Sequence, residues 1–326
     1  MIITRAPLRI PLGGGGTDLP SYYSQFGGFF LSAAINKYIY ISAQPTFGGE
    51  IIVKYSEVEQ PKQVHEIRHD IIREALKLHN IHKGIEVVSF ADIPAGTGLG
   101  SSGAFSVALL RSLYAFKGQI VPTHTLAEEA NYLMMNVLRR PDGKQDQHVA
   151  VFGGINCYTI DRDGKVDVEP LVLTRGMLEH LTDKLVMFFT GFYRQSETIL
   201  AIQREKSEMG NSEMLENLHF IKDLGRKIKD ALEAGNFDRF GDLMHMHWEH
   251  KKKRAPTMTN ALIDKWYTMA MKNGARGGKI MGAGGGGFLL FYADDRGKVV
   301  NVLRQEGLKE VRFNFDFEGA KLIVVE

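Results

Sequence analysis

One stretch of this 326-residue chain is dense in the residue types that hold a phosphate: Pro94-Ala-Gly96-Thr-Gly98-Leu99-Gly100-Ser101-Ser102-Gly103-Ala104. It runs directly into a helical pattern from Phe105. Glycines let successive backbone N–H groups converge without Cβ obstruction. The start of a helix adds unpaired donors and the positive end of its dipole. Ser101 or Ser102 could then offer a hydroxyl to a phosphate oxygen or a metal. Two other readings of the string fail. Gly98-x-Gly100-x-x-Gly103 matches the dinucleotide pattern, but Pro94 interrupts the strand-to-turn entry, and no acid stands about twenty positions on. A Walker loop needs lysine before its terminal Ser/Thr, and Ala104 follows Gly103. A plain serine-capped helix is the bland alternative; the glycine density and the paired serines favour the anion cradle.

Three further stretches carry reactive types. Arg9 and Asp18 flank four glycines, Gly13–Gly16, followed by Thr17. Asp18 could accept hydrogen bonds from sugar hydroxyls or cap a helix beginning near Pro20; Arg9 could hold a carboxylate or phosphate. In Gly143-Lys144-Gln145-Asp146-Gln147, Asp146 could deprotonate a hydroxyl while Lys144 stabilises the developing charge. Taken alone, such a run is usually solvated. The third glycine cluster, Lys279-Ile-Met-Gly282-Ala-Gly284-Gly285-Gly-Gly287, reads by itself as a loose hairpin turn. The densest basic tract, His250-Lys251-Lys252-Lys253-Arg254, could hold an anionic substrate or merely complement a helix C-terminus.

The elements that must position these residues follow from periodicity. Strands are expected at Ile2–Arg5, Phe29–Ala33, Lys37–Ala43, Ile51–Lys54, Ile85–Phe90, Ile155–Ile160, Leu185–Phe189, Gly287–Tyr292 and Lys321–Val325. A helix is expected over His65–Leu78. Phe105, Leu109, Leu113 and Phe116 make one helical stripe; Leu126, Ala130, Leu133 and Val137 make another. The order is mixed α+β rather than regular βαβ alternation. A polar interval over residues 161–183 suggests a boundary, giving segments 1–175 and 176–326. The chain is 44% hydrophobic, enough for a sizeable core, and its formal charge is only +2. That balance argues against nucleic-acid or membrane-surface binding. Cys157, the single cysteine, excludes an internal disulfide and a cysteine-held zinc. Arg5 and Arg9 interrupt the apolar start, and no run reaches bilayer length, so a cytoplasmic location is expected.

In this order, the three glycine motifs resemble those of the GHMP kinase superfamily, and most of all its D-glycero-D-manno-heptose 7-phosphate kinases. Gly13–Asp18 and Gly143–Gln147 are similar to segments of that group, as are Phe189–Gly191 with Arg194 and Ser196, and His245–Lys252 with Trp248. The resemblance implies a two-domain fold, with a ribosomal-S5-like N-terminal half and a ferredoxin-like C-terminal half. It implies ATP with Mg2+, and phosphorylation of the anomeric hydroxyl of a heptose 7-phosphate in nucleotide-activated heptose biosynthesis. By the same resemblance Asp146 matches the catalytic aspartate and Arg9 the arginine that supports it, with Lys144 beside Asp146 the candidate stabiliser of negative charge. Pro94, Gly96, Gly98, Leu99, Gly100, Ser101, Ser102 and Gly103 cradle the ATP phosphates, with Ser102 on the magnesium side. Gly15, Gly16, Thr17 and Asp18 face the acceptor, joined by Arg194, Lys252, Gly284 and Gly285, with Arg276 a further candidate cation. One departure concerns the metal. Where relatives carry a glutamate this chain has Met134, whose sulfur is a poor ligand for Mg2+; Glu128 and Glu129 lie one to two turns earlier. A kinase of an unphosphorylated sugar such as galactose or fucose, a weakly catalytic nucleotide- or sugar-binding regulator, and a homodimer all stay open at this stage.

Overall fold

The computed structural model describes residues 1–193 and 196–325. Its elements in chain order are β1 (Ile2–Gly14), α1 (Pro20–Phe26), β2 (Gly28–Pro45), β3 (Ile51–Lys54), β4 (Val58–Glu59), α2 (Asp70–Leu78), β5 (Ile85–Ala91), α3 (Ser101–Phe116), α4 (Thr123–Asn131), α5 (Gln145–Phe152), β6 (Ile155–Ile160) and β7 (Val166–Pro170). Then come α6 (Arg175–Lys184), β8 (Leu185–Phe189), α7 (Ser196–Glu208), α8 (Ser212–Glu233), α9 (Phe237–Lys252), α10 (Ala261–Lys272), β9 (Ala275–Ile280), β10 (Phe288–Ala293), α11 (Arg296–Gln305), β11 (Lys309–Glu310) and β12 (Lys321–Val325).

Two sheets result. The first runs β12-β1-β2-β5-β3-β4, with β6 paired to β2 and β7 to β6. The second runs β11-β8-β10-β9. Numbered within its own segment, that is the order 4-1-3-2 of an antiparallel ferredoxin-like sheet, with α11 linking its last two strands. The change of sheet falls between β7 and β8, and the 175/176 division proposed above cuts that interval at the start of α6. The chain does not stay divided. β12 returns to pair with β1, Ile2 opposite Val325 and Arg5 opposite Lys321.

β1 positions the first motif and is longer than its sequence suggests. Pro7 and Pro11 lack N–H groups and read as strand breakers. They are accommodated because β12 accompanies β1 only over residues 2–5, and because the register against β2 shifts at Pro7/Leu8 and again at Pro11/Gly13. Beyond Arg5, among the described residues, one edge of β1 has no strand beside it, and there the Arg9 N–H donates to the Leu99 carbonyl at 3.0 Å. The glycine loop therefore hangs from the open edge of β1.

Other differences have similar causes. Phe29–Ala33 and Lys37–Ala43 merge into the single strand β2, because β1 pairs across the intervening residues. The helix expected over His65–Leu78 splits into a short 3-10 turn at Val64–Glu66 and α2. The polar interval 161–183 contains β7 and most of α6. The stripe ending at Val137 leaves α4 as a wide π-helical turn at Tyr132–Val137. One continuous core joins both sheets: Leu8, Ile10 and Leu12 of β1 share it with Leu109 of α3, Met187 of β8 and Ile228 of α8. α8 lies close on β1, since a Cβ on Gly225 would come within 2.8 Å of the Gly14 nitrogen.

Candidate active site

The cleft is built where β1, the glycine loop, α5, α9 and β9 converge. Gly96, Gly98 and Gly100 take φ of +76°, +83° and +79°, a left-handed conformation that side-chain-bearing residues resist. These reversals carry the loop from its exposed tip into α3. Gly100 is the N-cap residue of α3, and no side chain caps the helix. The serine-capped reading therefore does not hold. The first N–H groups of α3 open onto the cleft, lined there by Ser101, Ser102 and Gly103.

Asp146 lies in the first turn of α5, against that helix start. A Cβ on Gly103 would meet the Asp146 Cβ at 2.5 Å, so only glycine allows this approach. Arg9 holds one side of the carboxylate. Its Nε donates to Asp146 Oδ1 at 2.8 Å, its Nη2 lies 2.6 Å from the same oxygen, and its Nη1 donates to the Gly98 carbonyl at 2.7 Å. Oδ2 has no protein hydrogen bond among the described residues. The arrangement leaves one carboxylate oxygen for a hydroxyl proton, beside a helix start suited to phosphate oxygens.

Asp18 is buried and acts as a brace. Its Oδ1 accepts from the Gly16 N–H at 2.9 Å, and its Oδ2 accepts from the Gln145 N–H at the start of α5 at 3.2 Å. It does not cap α1, whose N-cap residue is Leu19. Burial first, then the negative charge of Asp146, push the Asp18 carboxyl above its usual range against the pull of its backbone donors.

The opposite wall is cationic. Lys279 on β9 donates to the Leu12 carbonyl at 3.0 Å and is 1% exposed. Burial, with the nearby Arg254 and Arg9, brings its ammonium down to about 7. Arg254 donates to Asn217 Oδ1 at 3.0 Å and to the Gly15 carbonyl at 3.3 Å; burial brings it down to about 10, against the pull of Asp18. Lys251 donates to the carbonyls of Ile280 and Gly282. His247 Nε2 stands 2.8 Å from the Gly14 carbonyl and must donate to it, because a carbonyl only accepts. Burial and the surrounding cations hold this imidazole well below its usual range. With Nε2 donating to that carbonyl, a neutral ring presents Nδ1 as a buried lone pair, which has no partner among the described residues.

The family models for the GHMP kinases N terminal domain and C terminal domain match residues 66–154 and 228–308, which together make just over half of the chain. The chain is a GHMP kinase. Over 98% of its length, and 98% of the relative's, it is 29% identical to the D-glycero-alpha-D-manno-heptose 7-phosphate kinase of Campylobacter jejuni. It is also similar to the crystal structure of a D-glycero-D-manno-heptose 1-phosphate kinase from Bacteroides thetaiotaomicron, with TM-score 0.81, 25% identity and full coverage of both chains. A third relative, the L-fucokinase/L-fucose-1-P guanylyltransferase of Bacteroides fragilis, is 26% identical over 91% of this chain and 35% of its own length. Family membership and these relatives make the chain an ATP-dependent sugar kinase with the two-domain GHMP kinase fold.

Of the residues expected from sequence, Arg9, Gly15, Gly16, Asp18, Gly96, Gly98, Gly100, Ser101, Ser102, Gly103 and Asp146 line this kinase's cleft together. Others are placed elsewhere. Lys144 turns away from Asp146, because its Nζ donates to Glu128 at 2.8 Å and to the Gly164 carbonyl at 2.6 Å. Thr17 is buried, its hydroxyl bonded to the Phe29 carbonyl and amide, where it ties the glycine turn to β2. Leu99 is a core residue, and Pro94 offers its carbonyl to the Thr97 hydroxyl. Lys252 pairs with Glu249 on the outer face of α9, 2.8 Å away. Gly284 and Gly285 pack on Met258. Arg276 pairs with Asp238, Asp242 and Asp294. Arg194 lies outside the described residues. Sequence reasoning missed His247 and Lys279 as cleft residues, and named Lys251 and Arg254 only as part of their basic tract. His247, Lys251 and Arg254 stand at i, i+4 and i+7, a helical stripe that could have separated them from Lys252.

For Mg2+ the residues offer little of their own. Met134 is fully buried core. Glu128 is bound by Lys144 and His148; burial opposes its ionisation, but those two partners hold it down at about 2. No group of three carboxylates, imidazoles or thiols able to ligate a metal occurs among the described residues. The exposed Ser102 hydroxyl at the α3 start fits an ion carried mainly by nucleotide oxygens and water.

Proposed function

We propose that this kinase transfers the γ-phosphoryl group of ATP to the anomeric hydroxyl of D-glycero-D-manno-heptose 7-phosphate, forming the 1,7-bisphosphate. The observation that carries the reading is the Arg9-held carboxylate of Asp146, its Oδ2 unbonded among the described residues, set against the uncapped start of α3. The heptose acceptor is supported by the Campylobacter relative named for that substrate.

In this reading the α3 N–H groups and the Gly96–Gly100 backbone hold the donor phosphates, and Asp146 Oδ2 receives or orients the proton of the acceptor hydroxyl. Arg9 fixes the carboxylate and joins it to the loop through Gly98. Asp18 holds the acceptor-side turn on α5. Mg2+ at Ser102 would supply charge neutralisation on the donor phosphates.

The test is ADP release with heptose 7-phosphate, mannose, galactose and fucose, each with and without Mg2+. Heptose 7-phosphate is expected to give the highest kcat/KM, with the new phosphate on C1. Preference for free galactose or fucose would remove the reading. Asp146→Asn should lower kcat about a hundredfold or more, with ATP affinity changed by less than about threefold. Near-normal turnover in that variant would take Asp146 out of the mechanism.

A further inference from the structure

Resting on the kinase reading just given, we infer that the acceptor's own phosphomonoester is seated on Lys279 and Arg254, with Lys251 beside them, while His247 Nδ1 accepts a hydrogen bond from an acceptor hydroxyl. The first ground is charge without compensation. Among the described residues, neither Lys279 nor Arg254 has a carboxylate within ion-pair distance. Their partners are neutral: the Leu12 carbonyl for one, Asn217 Oδ1 and the Gly15 carbonyl for the other. Both side chains are at least nine-tenths buried and both line the cleft. Burying two cations costs free energy, and Arg254 further disfavours the charge on Lys279; among the described residues the pull of Asp18 on Arg254 offsets only part of this. A dianionic phosphomonoester would offset the rest.

The second ground is independent of charge. Among the described residues, His247 Nδ1 is buried without a partner, and so is Gln145 Nε2. One can only accept in the neutral tautomer and the other can only donate. An unbonded acceptor and an unbonded donor in the same cleft suit a polyhydroxylated ligand better than an apolar one.

The third ground is position. The cation wall touches the first glycine turn at Leu12, Gly14 and Gly15. The α3 start touches Asp146 instead, through Gly100 and Gly103. Asp18 bridges the two, bonded to Gly16 on one side and to the start of α5 on the other. The anion seat therefore adjoins the first glycine turn while the donor-phosphate cradle adjoins Asp146, a separation that suits a substrate held by a phosphate remote from its reacting hydroxyl.

The experiment compares wild type, Lys279→Met and Lys251→Met with two acceptors, heptose 7-phosphate and dephosphorylated heptose, and measures ATP affinity by calorimetry. Lys279→Met should raise KM for the phosphorylated acceptor about tenfold to a hundredfold, that for the dephosphorylated one less than about threefold, and leave ATP affinity unchanged. His247→Gln should weaken both acceptors alike. Equal effects of Lys279→Met on the two acceptors, or a parallel loss of ATP affinity, would overturn the seat. Should Lys279→Met not fold, Lys251→Met carries the same comparison. Should wild type turn over no phosphosugar, the acceptor reading falls and the seat is judged by Tm in inorganic phosphate. A rise in wild type that Lys279→Met or Lys251→Met abolishes upholds the seat; an equal rise in wild type and variants overturns it.

Discussion

Lys279 is the residue whose chemistry most depends on its surroundings. An ammonium of about 7 in the folded protein lies far below the ordinary value of 10.5, because burial and the nearby Arg254 and Arg9 oppose its charge. Between those two values the unfolded chain binds more protons than the folded one, so this group makes stability rise with pH across that window. Its cost is full below pH 7. Lys279→Met should therefore stabilise the protein by about 1 to 4 kcal/mol, more at pH 6 than at pH 9, as chemical unfolding would measure. Acceptor binding has the opposite dependence. A phosphate needs the ammonium, while the free protein loses that proton above pH 7, because burial and the nearby Arg254 and Arg9 disfavour its return. KM for the phosphorylated acceptor should climb with pH above 7 in wild type and stay flatter in Lys279→Arg, whose guanidinium keeps its proton. A pH-independent KM in wild type would contradict this assignment.

At the scale of elements, the start of α5 matters because it aims Asp146, and a clamp behind it sets the aim. Glu128 on α4 holds Lys144 Nζ at 2.8 Å and His148 Nε2 at 3.3 Å, while Lys144 also reaches the Gly164 carbonyl. If Asp146 is the base as proposed, the lysine beside it is thus a positioning residue. Glu128→Ala should lower kcat about tenfold while leaving the KM for ATP nearly unchanged, and Glu128→Gln should restore part of the loss by keeping one hydrogen bond. If kcat and Tm fell together in both variants, the clamp would be only structural. The third glycine motif works at the same scale. A Cβ on Gly287 would meet the Thr97 carbonyl at 2.0 Å, so the start of β10 presses directly on the phosphate loop.

Across the whole molecule, the two sheets share one hydrophobic core. β12 closes the first sheet from the far end of the chain, and α8 lies on β1 through facing glycines. Gly225→Ala would push a methyl to 2.8 Å from the Gly14 nitrogen and 3.1 Å from the Phe29 ring. It should destabilise the protein by about 1 to 3 kcal/mol. It should also weaken acceptor binding, because Gly14 is where His247 is anchored. Wild-type stability with an altered KM, or the reverse, would show the two effects to be separable.

Local signals were enough for much of this. Strands Ile155–Ile160, Leu185–Phe189 and Lys321–Val325 have the bounds expected from β-branched and aromatic runs between turns. That the glycine loop and Arg9, Asp18 and Asp146 would line one cleft was legible, because backbone reversals and charged chemistry restrict residue type position by position. What a residue faces is another matter, since it depends on contacts from distant segments. Only the tertiary structure turned Lys144 to Glu128, put Lys251 and Arg254 inward with Lys252 outward, and made Asp18 a brace. It also placed Lys279, an apparently ordinary strand lysine, in the cleft wall. Each of those outcomes rests on which carbonyl, carboxylate or helix end another part of the chain brings within hydrogen-bond reach, a distance that neighbouring residues in the chain do not encode.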